Sequence, residues 1–126
     1  CTAGDYFPYG IAGAGVYDWM FYDTHYTERF MDTPEDNPEG YKNGSVLEQC
    51  GTYGSFGPSV LMITHGTSDD NVHFQNAMRL TGELMKTNKH FRFMMYPGQR
   101  HGYRGYQGTF SAAEEMAFWT RYLLGE

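Results

Sequence analysis

The chain has little basic charge and no long apolar run. Only 9 of its 126 residues are Lys or Arg, against 15 Asp and Glu, and the formal charge is −6. Without a basic stripe, the chain has no electrostatic basis for binding nucleic acid or an anionic membrane surface, so we exclude both as partners. No run of apolar residues approaches the length of about 20 that a transmembrane helix needs.

Cysteine is also scarce. Cys1 and Cys50 form no C-x-x-C pair and could make at most one bridge, so they indicate no redox compartment, and we expect two buried free thiols. The chain lacks an initiator Met, and its start has neither the basic nor the apolar region of a secretory signal. We therefore expect a piece of a longer protein. The 40% apolar content of this chain is enough for one packed core.

The second half alternates strand and helix patterns. Residues 59–65 form a continuous apolar run, typical of a strand buried on both faces, and residues 90–96 form another strand candidate. The spacing predicts a helix between them, with a buried stripe of Phe74, Ala77, Met78, Thr81, Leu84 and Met85. The capping-box spelling Ser111-x-x-Glu114 predicts the start of a last helix, with a stripe of Ala112, Met116, Trp119 and Leu123.

The first half is less regular. Residues 9–14 suit a closely packed strand, and residues 16–31 are predicted to be helical or irregular. A long surface excursion is then expected, marked by Pro34, Pro38, Asn43-Gly44 and Gly54-Ser55. The whole order predicts an α/β fold with a parallel sheet, whose functional sites lie beyond the carboxyl ends of the strands.

Two loops at those predicted strand ends carry side chains suited to proton transfer. Asp69 and Asp70 follow the first strong strand, and His101 follows the second, 32 residues after Asp69. A helix, a strand and two turns use about that length, so both loops should meet at one edge of the sheet. A carboxylate that orients a histidine base is part of a nucleophilic triad, and α/β-hydrolases carry these groups in the order Ser, Asp, His. Either aspartate could be the acid.

Two other interpretations remain open. Taken singly, an aspartate in a loop is usually a turn or helix cap, and a lone histidine is usually solvated or packed. His65, Asp69, Asp70 and His73 are also metal-ligand types in one region, although there is no H-E-x-x-H and four such residues need not converge.

The nucleophile is missing from the chain. A nucleophile elbow reads Gly-x-Ser-x-Gly on a turn from strand to helix, and no serine here fits it. The serines are Ser45, Ser55, Ser59, Ser68 and Ser111. Ser55 comes closest but lacks the first glycine and precedes a strand, so we predict a loop there. The elbow should lie upstream of Cys1.

Two long motifs carry a family resemblance. Residues 19–31 read W-x-x-Y-D-x-x-Y-T-E-R-F-M, and residues 65–74 read H-G-T-S-D-D-N-V-H-F. Together with T-P-E-D-N at residues 33–37 and the His101-Gly102 pair, they resemble the prolyl oligopeptidase family of serine peptidases, and within it the dipeptidyl peptidase IV branch. The resemblance spans nearly the whole chain. It implies that residues 1–126 are the C-terminal portion of a single α/β-hydrolase domain.

The resemblance also implies roles for individual residues. It makes Asp69 the triad acid and His101 the base, and Asn71 matches a residue that binds a substrate backbone carbonyl. The pocket for the residue before the scissile bond, which favours proline, would be walled by Val16, Trp19, Tyr22, Tyr26 and Val72. The elbow serine, an oxyanion-hole tyrosine and the propeller carboxylates that bind the substrate amino terminus lie upstream in family members. Residues 97–100 replace an acidic segment found in some members.

The expected function is release of dipeptides from the amino terminus of a peptide substrate, without a cofactor or a metal. The isolated chain should be inactive because it lacks the nucleophile. The alternatives are a related prolyl oligopeptidase or acylaminoacyl peptidase, and a non-catalytic binding homologue. By resemblance, the parent protein would form a homodimer through this domain. It would also act outside the cytoplasm, as a periplasmic, secreted or membrane-anchored protein.

Overall fold

Three parallel strands form the sheet of the computed structural model, which describes residues 1–54 and 59–125. The strands are β1 (Tyr9–Gly13), β2 (Val60–Gly66) and β3 (Arg92–Tyr96), in the order β1-β2-β3. Tyr9 pairs with Val60, and Met62 pairs with Arg92. The predicted parallel sheet is therefore confirmed, with every strand close to its predicted bounds.

Helices connect and flank these strands. They are α1 (Thr24–Met31), α2 (Pro38–Gly44), α3 (Gln75–Lys86) and α4 (Gly105–Trp119). Short 3-10 turns lie at Trp19–Phe21 and Leu47–Thr52, and a π-helical turn at Thr120–Leu124 extends α4. Within residues 1–54 and 59–125, no helix combines the length and the apolar character needed to cross a membrane.

Helix α2 corrects the prediction of a plain surface excursion. Asn37 caps this helix because its side chain accepts a hydrogen bond from the Gly40 N–H at 3.1 Å, and Pro38 takes the first helical position. Asn followed by Pro is a favourable helix start, since Asn caps the free N–H groups and Pro has the required φ angle. The predicted turn at Asn43-Gly44 is instead the last part of this helix. Ser55, predicted to be a loop residue, lies outside the described residues.

Helix α3 lies where it was predicted, and its predicted stripe is confirmed at Ala77, Thr81 and Leu84. Its buried residues are Asn76, Ala77, Leu80, Thr81 and Leu84. Met78 and Met85, which were predicted to be buried, are 40% and 67% exposed. A polar residue, Asn76, takes part in the buried face because it bonds to a neighbouring loop, and hydrophobic spacing cannot show such a contact.

Helix α4 begins at Gly105, well before the predicted capping box. Ser111 lies inside the helix, where it is buried and its Oγ is 3.3 Å from Glu115 Oε1. Of the predicted stripe, Ala112, Met116 and Leu123 are exposed and Trp119 is half-buried. The buried aromatic residue is Phe118, which was not predicted. Apolar residues lie on several sides of this helix, so the period alone does not identify the packed face.

The core joins the sheet to α3 and to the turn at Leu47–Thr52. Its buried members are Tyr17, Cys50, Tyr53, Ile63, Ala77, Leu80 and Leu84. Both thiols are free as expected, but only Cys50 is buried, whereas Cys1 is exposed. Burial of each large aliphatic side chain contributes about 1.5–3 kcal/mol to folding. This packing holds β2 against α3, and the connection between these two elements carries the candidate acid.

Candidate active site

Asp69 lies in the loop that joins β2 to α3, at residues 67–74, which we call the acid loop. The residue is only 3% exposed. Its Oδ1 accepts hydrogen bonds from the N–H groups of Asn71 and Val72, both at 3.0 Å. Aspartate often forms this kind of turn with the backbone that follows it. The turn fixes one carboxylate oxygen and leaves Oδ2 to face the next loop.

His101 lies in the loop after β3, at residues 97–104, which we call the base loop. Its Nδ1 is 3.0 Å from Asp69 Oδ2. A carboxylate can only accept here, so Nδ1 carries the proton and Nε2 keeps its lone pair. The His101 side chain is 44% exposed, whereas that of Asp69 is fully buried. An imidazole held from behind by a buried carboxylate, with its other nitrogen free to take a proton, has the form of a triad base.

The structure separates the two neighbouring aspartates. Asp70 points to solvent with 64% of its side chain exposed, and its Oδ2 lies 3.1 Å from Arg100 Nη1. Only Asp69 contacts the imidazole of His101. Spacing along the sequence could not distinguish the two, because both follow the same strand.

The charge of Asp69 is stabilised by its hydrogen bonds. Burial alone would raise its pKa, since a low dielectric disfavours the ionised form. The hydrogen bond from His101, those from the N–H groups of Asn71 and Val72, and the charge of His101 together hold the pKa below its usual value. Asp69 is therefore an anion at neutral pH, as the orientation of an imidazolium requires.

The acid loop and the base loop are tied to each other directly. Ser68 N–H donates to the Gln99 carbonyl at 3.0 Å, and Gly98 N–H donates to Thr67 Oγ1 at 2.8 Å. At the end of β2, a Cβ on Gly66 would collide with the backbone carbonyl oxygens of Gln99 and Arg100. Only glycine lets the two loops approach this closely.

His65 is a second histidine beside Asp69. Its ring is fully buried, with Nε2 2.7 Å from the Val72 carbonyl oxygen and 3.4 Å from Asp69 Oδ2. Both neighbours are acceptors, so Nε2 carries the proton. Sequence analysis considered His65 only as a metal ligand. Its position near the end of β2 places it beside the acid loop. The signal in the sequence was its place as the first residue of the motif at residues 65–74.

The four metal-ligand candidates do not converge. His73 Nδ1 accepts a hydrogen bond from Gln75 N–H at 3.2 Å, and Asp70 turns to Arg100. His65 and Asp69 face each other inside the loop. In the part of the chain that the structure describes, no group of three His, Cys, Asp or Glu residues is placed to hold a metal ion.

Aromatic side chains form a row beside the acid loop. Trp19 and Tyr22 meet edge to face with ring centroids 6.0 Å apart, and Tyr22 and Tyr26 do so at 5.4 Å. Phe30 continues the row, 5.1 Å from Tyr26. Tyr26 is 51% exposed and Phe30 is 68% exposed, so this row presents apolar ring surface to solvent. We call these residues the aromatic row.

One hydrogen bond joins the aromatic row to the acid loop. Tyr22 Oη donates to Asn71 Oδ1 at 3.0 Å. Val72 is buried, and Val16 is partly buried on the loop that leads into the row. A cavity of about 90 Å³ lies against Trp19 and Tyr22, and its other walls are Met20, Thr24, Thr27, Glu28, Pro34 and Tyr41. Of the predicted pocket residues, Trp19, Tyr22, Tyr26 and Asn71 are thus joined by ring contacts and one hydrogen bond. Only Trp19 and Tyr22 of the predicted set line this cavity; Val16, Tyr26, Asn71 and Val72 do not.

Asn76 joins the segment before the aromatic row to the acid loop. Nothing in the sequence singles it out. The side chain is almost completely buried at the start of α3. Its Oδ1 accepts from Tyr17 N–H at 3.2 Å, and its Nδ2 donates to the Phe21 carbonyl at 3.1 Å and to the His73 carbonyl at 3.3 Å. Asn76 therefore holds the segment that carries Trp19 against the helix that follows the acid loop.

The sequence profile of the prolyl oligopeptidase family matches residues 1–126, which is the whole chain. The chain belongs to the prolyl oligopeptidase family. This result and the parallel sheet confirm the resemblance and the α/β-hydrolase fold that were inferred from the two motifs.

The chain is similar to relatives that are named as dipeptidyl peptidases. It is 41% identical over 119 residues to "Probable dipeptidyl-aminopeptidase B" of Uncinocarpus reesii, and the match covers 93% of this chain and 13% of that protein. A relative of the same name in Penicillium rubens is 40% identical over 119 residues, with the same coverage. The crystal structure of Porphyromonas gingivalis dipeptidyl peptidase 4 superposes with a TM-score of 0.85 at 39% identity, covering 93% of this chain and 16% of that one. The chain thus spans only a small part of these relatives.

Proposed function

We propose that the protein carrying this chain is a serine-type exopeptidase that releases dipeptides from peptide amino termini, with proline or a small residue in the second position. The observation that carries the proposal is the pairing of His101 Nδ1 with the buried Asp69 Oδ2 at 3.0 Å, at the carboxyl ends of adjacent parallel strands. The two relatives named as dipeptidyl-aminopeptidase B support the same type of cleavage.

The geometry supports acyl transfer with His101 as the base. A serine from outside this chain attacks the scissile carbonyl, and His101 Nε2 takes its proton. Asp69 stabilises the imidazolium that forms, because the carboxylate is ionised and faces Nδ1. His101 then gives the proton to the leaving amine as the peptide bond breaks, and the dipeptide remains bound to the serine as an ester. A water molecule, deprotonated by His101, attacks this ester, and His101 returns the proton to the serine oxygen as the dipeptide leaves. The chain alone should have no activity, since the covalent step needs the serine.

The aromatic row and Asn71 would bind the substrate. A pyrrolidine ring has flat apolar faces that pack well on aromatic rings, which favours proline before the scissile bond. Asn71 keeps its side-chain amide N–H groups for a substrate carbonyl, because its Oδ1 already accepts from Tyr22. In this proposal Val16, Trp19, Tyr22, Tyr26 and Val72 form the surroundings of that ring.

The test uses the complete reading frame that contains this chain and a chromogenic Gly-Pro amide. We expect turnover by the wild type and a loss of about 10⁴-fold or more in kcat for His101→Ala, as when a triad base is removed. The matched control is His90→Ala, because His90 is exposed just before β3, away from the paired loops. Activity that persists in His101→Ala would contradict the assignment of the base.

An amino-terminally acetylated Gly-Pro amide separates the related activities. A dipeptidyl peptidase needs the free amine, so acetylation should abolish turnover. Turnover of the acetylated substrate would instead indicate a prolyl oligopeptidase or an acylaminoacyl peptidase. No turnover of either substrate by a correctly folded protein with an intact serine would favour a binding homologue.

A further inference from the structure

The base loop encloses a basic cavity next to His101. This cavity has a volume of about 470 Å³ and is lined by Asp70, Gly98, Gln99, Arg100, His101, Gly102 and Arg104. Two arginines and one aspartate give this lining a local positive excess, although the whole chain has a formal charge of −6. We call it the arginine cavity.

The two arginines differ in how far their charge is neutralised. Arg100 pairs with Asp70, with Nη1 and Oδ2 3.1 Å apart, but both side chains are largely exposed. An exposed ion pair of this kind is weak and exchanges readily for another partner. Arg104 forms no ion pair with any residue of the described ranges 1–54 and 59–125. Its guanidinium is therefore available to a carboxylate from outside.

The walls of the cavity are ordered by hydrogen bonds. Gln99 Oε1 accepts from the Arg104 N–H at 2.7 Å, and Gly98 N–H is bound to Thr67 Oγ1. Arg104 is also the residue just before α4, which fixes its backbone at the start of that helix. Two arginines on a braced loop lose less freedom on binding a carboxylate than arginines on a mobile segment would.

The chemistry of the proposed reaction directs the leaving peptide to this cavity. His101 must protonate the leaving amine, so the first residue after the scissile bond has to lie next to His101 Nε2. Because His101 and Arg104 line the same cavity, the side chain of that first leaving residue can reach it. A carboxylate there would meet a planar guanidinium that can bind it through two hydrogen bonds.

We infer that the arginine cavity is the subsite for the first residue of the leaving peptide and that it selects an acidic side chain, with Arg104 as the main contact. The inference rests on the proposed function. Peptides with Asp or Glu as the third residue should be cleaved faster than their amide counterparts, and Lys in that position should slow cleavage because its charge is repelled.

The test compares Gly-Pro-Glu, Gly-Pro-Gln and Gly-Pro-Lys peptides that are otherwise identical, with the complete protein and with release of Gly-Pro as the readout. For the wild type we expect kcat/KM to be about fivefold higher for the Glu peptide than for the Gln peptide, which is the effect of one partly exposed ion pair. The Lys peptide should have a lower kcat/KM than the Gln peptide. The preference should shrink in 0.5 M salt, since the Debye length falls below about 5 Å.

Variants of Arg104 give the decisive comparison. Arg104→Gln should reduce the Glu-to-Gln ratio toward one, and Arg104→Glu should make Lys the preferred residue. The matched control Arg121→Gln removes the same charge from the π-helical turn that follows α4 and should keep the wild-type ratio. Using a ratio cancels any change in the amount of active enzyme.

The two proposals fail in distinguishable ways. A wild type that cleaves the chromogenic Gly-Pro amide but treats Glu, Gln and Lys peptides alike would overturn the subsite and leave the peptidase function standing. A Glu preference that survives in Arg104→Glu would also overturn it. A wild type without turnover of the chromogenic amide would overturn both.

Discussion

Replacing Asp69 with Asn should reverse the hydrogen-bond polarity at His101. Asp69 Oδ1 accepts from the N–H groups of Asn71 and Val72, so in the variant the amide oxygen must keep that position. The amide nitrogen then takes the place of Oδ2, where it faces His101 Nδ1 and His65 Nε2. Because an amide nitrogen only donates, His101 would have to carry its lone pair on Nδ1 and its proton on Nε2.

That tautomer cannot act as a base. Triads whose histidine is held in the wrong tautomer lose about 10⁴-fold in kcat, or ~5.4 kcal/mol of transition-state stabilisation. We expect a loss of this size for Asp69→Asn, with a much smaller change in KM, because the substitution leaves the aromatic row untouched. The assay is turnover of the chromogenic Gly-Pro amide by the complete protein.

The neighbouring acid provides the matched comparison. Asp70→Asn makes the same chemical change one residue away, but Asp70 is exposed and contacts Arg100 instead of the imidazole. With a substrate that has no charged residue after the scissile bond, its kcat should fall by less than about threefold, as for a surface ion pair. Equal losses in the two variants, or more than a tenth of wild-type activity in Asp69→Asn, would refute the reasoning.

Three further predictions follow from the same geometry. Gly66→Ala should lower kcat by about 100-fold or more because the added Cβ pushes the base loop away. Gly82→Ala adds the same methyl group in open space on α3 and should leave kcat unchanged. Equal kinetics for the two variants would argue against the close approach of the loops. Asn76→Ala should lower the thermal midpoint by several degrees and raise KM, since the Tyr17 N–H and the Phe21 carbonyl lose their side-chain partner at about 1–2 kcal/mol each. Asn43→Ala should change neither. The pKa of Asp69 is lowered in the fold, so its charge stabilises the protein above about pH 5 and this contribution is lost as the pH falls through the folded pKa. The thermal midpoint of the wild type minus that of Asp69→Asn should therefore decrease between pH 7 and pH 3, and a constant difference would contradict the shift.

The sheet could be predicted because its strands are short apolar runs with no competing pattern. Residues 59–65 are continuous in apolar character and are followed by a glycine, and the observed strand Val60–Gly66 differs from that run by one position at each end. The approach of Asp69 to His101 then followed from topology alone, since adjacent parallel strands end at one edge. These inferences needed no tertiary detail.

The helix ends and buried faces were harder to predict, because they depend on contacts that spacing does not show. Ser111-x-x-Glu114 has the spelling of a helix start, yet α4 begins at Gly105, and the serine is buried inside it. Asn76 is a polar residue on a buried face because it binds the backbone of Tyr17 and Phe21, which are distant in sequence. A local pattern can identify a cap or a stripe but not the loop that will pack against it.

Only part of the site could be predicted, because its other contacts join residues that are distant in sequence. Residue types and order led to Asp69 and His101, but only the fold shows that Asp70 faces away and that His65 lies behind the carboxylate. The motif also suggested the aromatic row, whereas the Tyr22–Asn71 hydrogen bond that joins it to the acid loop required coordinates. The arginine cavity has no sequence signature, because Arg100 and Arg104 become neighbours of one space only through the turn of the base loop.

The most direct test of the central claim is mass analysis of the products from a peptide that begins with Gly-Pro and carries a free amine. The complete protein should release intact Gly-Pro and the remaining peptide, and the His101→Ala variant should release neither in the same time. Cleavage at another bond, or equal release of Gly-Pro by both proteins, would contradict the account of His101 and Asp69 as the base and acid of a dipeptidyl peptidase.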